Sequence, residues 1–500
     1  MSRNLLRLLS VDFGYDASPE LLFQNIDLHL GLGWTGVVGA NGAGKSTFLR
    51  LSCGQLTPVA GSVSGPSLAV YCPQRTDHPP DGLELLMGAS DREAMLIRVR
   101  LGLDEKWPNR WPDLSHGERK RLQIGAALYQ RPDLLAVDEP TNHLDNQAQN
   151  VLLNALGAFR GIGLLVSHDR NLLDRLCIGT VFVDPPQAIL RPGSYTRASR
   201  EVLREEKEKG RRQQKAAKEV ARLERTWEAR RREAAQAGAR RSKLKLNRKD
   251  SDGRAKIDLA RVSGQDAARG RLQRQISGRL NQARQRLNKT GPSKEHPIGI
   301  EVTGEVCRRH GLILLSAGSI ALGPGRNLIY PELLVRPGDK IAVKGSNGAG
   351  KSTLIKTLLA SVDMPKGRLL YLPQEISAQR SRAVLKQARE LKGVELGWVM
   401  NMVSRLGSRP QRLLASQLPS PGEARKLLLA LGLRWRPWLI VLDEPTNHLD
   451  LQSIERLERA LSKTPAALVL VSHDKRFLQA LTDTNWLISM VGEKYILRTE

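Results

Sequence analysis

The chain has 500 residues, with 78 Lys and Arg against 51 Asp and Glu, a formal net charge of +27 and a pI near 10.3. That length is too great for one hydrophobic core, no apolar run approaches the roughly 20 residues of a membrane span, and the 4 cysteines (Cys53, Cys72, Cys177, Cys307), lacking C-x-x-C spacing, argue for free buried thiols in a reducing compartment and against a metal cluster. A balance this basic predicts a polyanionic partner, nucleic acid ahead of an anionic membrane surface.

The opening MSRNLLRLLSVDFGYD lacks the apolar centre of a signal peptide, which predicts a chain that stays in the cytoplasm. Leu5–Phe13 alternates weakly and predicts a strand leading into Gly14-Tyr15. A second β-type run, Thr35–Val38, feeds Gly39-Ala-Asn41-Gly42-Ala-Gly44-Lys45-Ser46-Thr47, and Phe48, Leu49 and Leu51 predict an apolar helix behind it. This is the full G-x-x-x-x-G-K-[ST] pattern. Its glycines let backbone N–H groups curl around phosphate oxygens, the helix N-terminus adds partial positive charge, Lys45 reaches the β/γ-phosphates and Ser46 holds Mg²⁺. A glycine-rich turn with a chance lysine is the plain alternative; the strand before and the helix after favour a phosphate site.

Downstream, Leu134-Leu-Ala-Val-Asp138-Glu139 reads as a buried parallel strand that delivers carboxylates at its C-terminal end. Asp138 suits the magnesium shell and Glu139 the orienting and deprotonation of an attacking water. Such a pair could equally cap a helix, and its place after a phosphate loop decides against that. Three smaller features accompany it. Leu114-Ser115-His-Gly117-Glu118 precedes a helical pattern (Leu122, Ile124, Ala127, Leu128) and by itself is a capping box. His168, after the strand Leu164–Val166, is placed to touch a γ-phosphate, although a lone histidine there is more often structural. Gln74, after Tyr71-Cys-Pro, is a candidate for Mg²⁺ or water and means little alone.

In this order, phosphate loop, glutamine, LSxGE-type string, strand ending in Asp-Glu and histidine, the half resembles an ATP-binding cassette ATPase. Glu139-Pro-Thr-Asn-His-Leu-Asp145 further resembles the ABC-F branch, whose members lack membrane domains and act on ribosomes. The resemblance implies that Gly39, Asn41, Gly42, Gly44, Lys45, Ser46 and Thr47 cradle ATP, that Tyr15 stacks on adenine, and that Ser115 and Gly117 face a phosphate.

The motifs then return. Gly345-Ser-Asn347-Gly348-Ala-Gly350-Lys351-Ser352-Thr353 matches the first phosphate loop, Gln374 matches Gln74, and Leu439–Leu442 leads into Asp443-Glu444. Glu444-Pro-Thr-Asn-His-Leu-Asp450 repeats the seven-residue string unchanged. Ser420, Asp443 and His473 each lie 305 residues beyond Ser115, Asp138 and His168, the regularity of a duplicated domain. Two departures stand out. Pro419-Ser420-Pro421-Gly422-Glu423 has proline where the first copy has Leu114, but keeps Ser420 and Gly422, so that site is expected to work, if more slowly. Ser319-Ile-Ala-Leu322 offers no aromatic equivalent to Tyr15, so the two sites are expected to bind ATP unequally.

As the family is built, the halves close head to tail. The resemblance then implies one site of Lys45, Ser46, Asp138, Glu139 and His168 with Ser420 and Gly422, and another of Lys351, Ser352, Asp443, Glu444 and His473 with Ser115 and Gly117. It implies Ser46, Gln74 and Asp138, and Ser352, Gln374 and Asp443, as Mg²⁺ ligands, and a monomer that pairs its own cassettes.

Between the halves lies the basic stretch. Residues 201–290 carry 28 Lys and Arg against 12 Asp and Glu, a net +16 of the total +27. Over 198–238 helix formers dominate without proline, and Val220, Leu223 and Trp227 make a narrow seam. Leu272, Ile276 and Leu280 offer a facing seam over 271–287, with Gly278 inside that helix. The turn, Arg240, Arg241, Lys243, Lys245, Arg248 and Lys249, is the expected RNA-contacting end of a helical hairpin of ~35 residues per arm, roughly 50 Å at about 1.5 Å per residue. A solvated spacer is the plain alternative, and one-signed charge gathered near the turn favours RNA phosphates. ABC-F linkers of this kind lie against tRNA and reach towards rRNA. The interval Arg75–Asp113 is no longer than Glu375–Leu418, which predicts no inserted arm.

The expected architecture is therefore α/β: two tandem P-loop cassettes, 1–195 and 297–500, joined by a helical hairpin linker, 196–296. The expected function is an ATPase that binds the ribosome when closed on ATP and leaves on hydrolysis, in a cytoplasmic, ribosome-associated role as translation factor or antibiotic-resistance protein. The rival is a twin-cassette subunit that energises a separate membrane permease.

Overall fold

The computed structural model describes residues 5–16, 20–141, 144, 146–240, 265–289, 307–323, 325–492 and 494–500. The chain divides into two compact units, residues 1–198 with 297–500, and residues 199–296.

The first unit holds both cassettes. In the N-terminal one a six-stranded sheet runs in the order Ala69–Cys72, Leu134–Asp138, Ile162–Val166, Gly33–Gly39, Cys177–Asp184, Gln187–Pro192, parallel except for the last strand. Leu134–Asp138 and Ile162–Val166 are buried at every residue, as befits parallel strands covered on both faces. Alternation splits their side chains between two cores: Leu134 and Ala136 pack with Phe48, Leu49 and Leu51, while Leu135 and Val137 pack with Leu152, Leu156 and Leu172. Phe23–Leu30, Leu6–Phe13 and Ala60–Ser64 form a separate antiparallel sheet, and the strand expected from Leu5 thus begins one residue later.

The C-terminal cassette repeats the plan in an eight-stranded sheet whose parallel core is Thr484–Val491, Lys340–Gly345, Ala467–Val471, Leu439–Asp443 and Leu369–Leu372. Leu439–Asp443 and Ala467–Val471 are again buried throughout. Between Gln74 and Ser115 the chain forms helices Leu83–Gly88 and Arg92–Leu101 and a 3-10 turn Pro108–Asp113; the second half answers with Ala378–Glu390, Gly393–Arg405 and Pro410–Ala415. No inserted arm is present in either interval.

Among the described residues, the second unit is a pair of helices. Tyr195–Arg240, which starts in the first unit, runs 46 residues, about 70 Å at 1.5 Å per residue and longer than the ~35 residues expected. Gln265–Lys289 is its partner. Val220 and Leu223 meet Leu280, Ala283 and Leu287. The seam is thus shifted from the one read in the sequence: Leu272 is 41% exposed and Trp227 is half-buried with the Arg231 guanidinium over its ring. A ladder at Leu280, Ala283 and Leu287 fits the narrow contact of two highly charged helices, which leaves the stripe towards Leu272 in solvent. Arg240 ends the first helix, and Arg241, Lys243, Lys245, Arg248 and Lys249 lie outside the described residues.

Candidate nucleotide sites

Both phosphate loops leave their strands and enter helices through a left-handed glycine. Gly44 (φ 90°) caps Lys45–Ser52 and Gly350 (φ 92°) caps Lys351–Ala360. A Cβ at Gly350 would also press on the Leu322 side chain, its Cδ2 at 2.6 Å, in a left-handed conformation that favours glycine. The lysines fold over their own loops: Lys45 Nζ donates to Gly39 O (3.1 Å) and Ala40 O (3.2 Å), Lys351 Nζ to Gly345 O and Ser346 O (both 2.9 Å). Their ammonium groups are thereby aimed at whatever the loop's N–H groups enclose.

At the strand ends, Asp138 and Glu139 are 2% and 4% exposed, and so are Asp443 and Glu444. Ser46 Oγ donates to Asp138 Oδ2 at 2.6 Å, and the Tyr71 hydroxyl reaches the same oxygen at 3.1 Å. Asp443 Oδ1 is buried with no hydrogen-bond partner among the described residues, and Ser352 Oγ lies 3.5 Å from Gln374 Oε1. Burial holds the carboxyls of Asp138 and Asp443 above the ordinary value. Oxygen-only, electron-rich and desolvated, these donor sets fit Mg²⁺. Gln374 stands beside Ser352 and the Tyr71 hydroxyl beside Asp138, and both Gln74 and Gln374 are exposed.

Each glutamate takes a left-handed backbone, φ 45° at Glu139 and 48° at Glu444, a conformation that non-glycine residues adopt rarely and that clusters at functional sites. The Glu139 N–H donates to Val166 O (2.9 Å) and the Glu444 N–H to Val471 O (2.8 Å), which hold the turn in place. Each carboxylate then faces its histidine: Glu139 Oε1 is 3.0 Å from His168 Nε2, and Glu444 Oε1 is 3.3 Å from His473 Nε2. The electrostatics differ. Burial pushes both glutamates up, but His168 and then Lys45 hold Glu139 below its ordinary value, while burial carries Glu444 up to about 8 against the pull of Lys351.

Ser115 and Ser420 both cap their helices, His116–Tyr129 and Pro421–Leu433, with complete capping boxes to Glu118 and Glu423. Pro421 takes the first helical position, where its missing N–H has no intrahelical partner to lose, so the proline-bearing copy keeps the same local geometry.

The cassettes meet at these loops. Asn41 Nδ2 donates to His448 O (2.8 Å) and Asn41 N to Asp450 Oδ2 (3.5 Å), joining residues more than 400 positions apart. A Cβ on Gly422 would lie 2.5 Å from His448 O and 3.5 Å from Asn41 Nδ2, so the first phosphate loop stands beside the second LSxGE-type string. Around the other loop a cavity of about 570 Å³ is lined by Lys351, Ser352, Asp443 and Glu444 of one cassette and Thr141, Leu144 and His168 of the other. Ser115 and Gly117 do not line it; Leu144 Cδ2 packs where a Gly117 Cβ would project.

Tyr15 is 49% exposed beside the first loop, its hydroxyl 2.8 Å from Thr47 Oγ1. At the second loop the corresponding hairpin supplies Leu322 and Arg326. Arg326 Nη2 donates to Gly348 O and to the Tyr495 hydroxyl, both at 3.0 Å, with the guanidinium over the Tyr495 ring. Sequence reading missed Arg326 and Tyr71, because a hairpin position and a strand tyrosine carry no motif of their own.

Comparison with known proteins places these features in context. The ABC transporter family model matches residues 23–142 and 331–447. The tylosin resistance ATP-binding protein TlrC of Streptomyces fradiae is 30% identical over 90% of this chain and 91% of its own. The ribosome protection protein VmlR of Bacillus subtilis is 26% identical over 96% of this chain and 86% of its own. Among solved structures, the archaeal ribosome recycling factor aABCE1, crystallised with the stalk protein aP1, superposes with a TM-score of 0.62 at 18% identity, over 98% of this chain and 89% of that one, a likeness of fold.

Proposed function

Because the chain belongs to the ABC-F branch of the ATP-binding cassette ATPases, we propose that it binds the ribosome with its cassettes closed on ATP, directs its basic helices at tRNA and rRNA, and leaves after hydrolysis. The observation that carries this reading is the contact of Asn41 with His448, Asp450 and Gly422, which makes a nucleotide at the first loop part of the seam between cassettes. Lys45, Lys351 and the loop N–H groups bind the triphosphate, and Ser420 with Gly422 closes on it from across the seam. Ser46 and Asp138, and Ser352, Gln374 and Asp443, hold Mg²⁺, which when bound supplies charge neutralisation at the β/γ-phosphates. Glu139 and Glu444 orient the attacking water and take its proton, and His168 and His473 keep those carboxylates in place.

No described helix is long and apolar enough to cross a membrane, and a net +16 over 201–290 suits RNA phosphates better than a permease. Replacing both Glu139 and Glu444 by Gln removes the base at each site. ATP turnover is expected to fall by roughly 100-fold or more, and the variant should co-sediment with ribosomes in ATP and stay bound. A double-Gln protein that remains at the top of the gradient ends the ribosome reading. Co-pelleting with membranes after ribosome removal would instead favour the permease reading. The names of the two relatives favour ribosome protection over a housekeeping role. Expression in a macrolide-susceptible host should then raise its tolerance, and an unchanged inhibitory concentration across ribosome-targeting antibiotics would return the housekeeping alternative.

A further inference from the structure

Each cassette buries one cation that, among the described residues, pairs with no carboxylate. Lys120 and Arg425 are 0% and 1% exposed and stand 305 residues apart, at the same place on helices His116–Tyr129 and Pro421–Leu433. Interior cations are costly unless every donor is used. Here the donors go to the same two backbone segments in each half. Lys120 Nζ donates to Pro73 O (2.7 Å), one residue before Gln74, and to Asp138 O (3.1 Å). Arg425 Nη2 donates to Gln374 O, and Nη1 to Glu444 O at 3.1 Å.

The position on the helix gives these contacts their meaning. Gly422, in the first turn of Pro421–Leu433, stands beside Asn41 of the first cassette's phosphate loop. Arg425, three residues on, grips the backbone of Gln374 and Glu444 at the second cassette's own site. A single rigid turn of helix therefore touches both nucleotide sites, and an apolar residue of similar bulk at 425 would fill the space without holding either carbonyl.

We propose that Arg425, with Lys120 as its counterpart, is a positioning residue that couples the two nucleotide sites. Nucleotide drawn against Gly422 at one site shifts the helix, and the buried cation carries that shift to the carbonyls flanking the glutamine and catalytic glutamate of the other. The inference rests on the nucleotide part of the reading above and not on the ribosome.

The test uses the full chain bearing Glu139→Gln and Glu444→Gln, titrated with the fluorescent nucleotide mant-ATP in the presence of Mg²⁺, without ribosomes. The parent should bind with a Hill coefficient above 1. Arg425→Met should bring it to 1 and raise half-saturation about 5-fold, the lower end of typical coupling, while Arg425→Lys restores most of both. A parent that binds without cooperativity, an Arg425→Met protein that keeps the parent's Hill coefficient, or a Lys variant as impaired as the Met variant overturns the coupling; the last would make Arg425 a packing element. If Arg425→Met does not fold by thermal melt, Arg425→Gln, whose amide reaches at most one of the two carbonyls, is judged by the same criteria. A parent that binds no mant-ATP overturns the nucleotide reading itself, which distinguishes the two failures.

Discussion

Glu139 and Glu444 occupy the same place in the two cassettes and share a left-handed backbone, yet their protons are held differently. Burial raises Glu444 to about 8, whereas His168 and Lys45 outweigh burial at Glu139 and lower it. A carboxyl whose folded pKa lies above its unfolded value stabilises fully below the unfolded value and loses that contribution as pH rises through the folded one. In nucleotide-free protein with EDTA, Glu444→Gln should therefore melt above the wild type at pH 8.5 and match it only near pH 4.5, the ordinary carboxyl value. Glu139→Gln should show no such gain, because the ionised form is the favoured one there. Differential scanning fluorimetry at the two pH values checks both, and a gain for Glu139→Gln at pH 8.5 would reverse the assignment.

At the scale of elements, the long basic helices depend on few apolar contacts. Leu280 is buried against Val220 at the centre of their seam, so Leu280→Ala should cost about 2–3 kcal/mol in the pairing of the helices. Limited proteolysis within 199–296 should accelerate while the cassettes' melting temperature stays put. Gly278 sits exposed inside Gln265–Lys289 with open space where a Cβ would project, so Gly278→Ala should stabilise that helix by about 0.5–1 kcal/mol and slow the same cleavage. The sequence pattern announced two helices here. It found Val220, Leu223 and Leu280 in the seam but ran the stripe on to Trp227 and Leu272 and missed Ala283 and Leu287, because charged helices of this composition present several narrow apolar stripes and only the partner decides which is covered.

At the scale of the molecule, the cassettes are joined away from the nucleotide loops as well. Arg170 donates to Glu458 (2.8 Å) and Asp474 (3.1 Å), and Arg476 reaches Asn171 Oδ1 (2.8 Å), Asp174 Oδ2 (2.7 Å) and Thr196 Oγ1 (2.8 Å), while the Tyr195 hydroxyl donates to Glu455 (2.8 Å). Arg170, Arg476 and Asp474 lie on or at the start of the helices that follow His168 and His473, Glu458 lies on helix Leu451–Leu461, and Tyr195 and Thr196 open the long basic helix. Removal of Arg170 leaves two carboxylates facing each other with little solvent, so Arg170→Ala should cost about 3 kcal/mol in thermal or denaturant unfolding. If ribosome binding is carried by the basic segment, its affinity should fall steeply with salt, on the order of 10³-fold or more between 50 and 200 mM for six or more phosphate contacts. A flat salt response in a pelleting assay would place the contact elsewhere.

Much of this protein was determined by sequence alone. The 305-residue repeat, the two phosphate loops, the wholly apolar strands ending in Asp-Glu and the basic helices all follow from local rules: glycine where φ is positive, continuous burial in parallel strands, helix formers without proline. Such rules act over a handful of residues and are legible wherever the pattern is complete. Tertiary structure decided which residues distant in sequence meet: Asn41 on His448 across the seam, and within single cassettes Arg326 on Gly348 and Tyr495, and Lys120 and Arg425 on backbone carbonyls. It also separated Glu139 from Glu444. These depend on how much water is excluded and which charges are brought near, and residues hundreds of positions apart settle both only once the sheets and helices have packed.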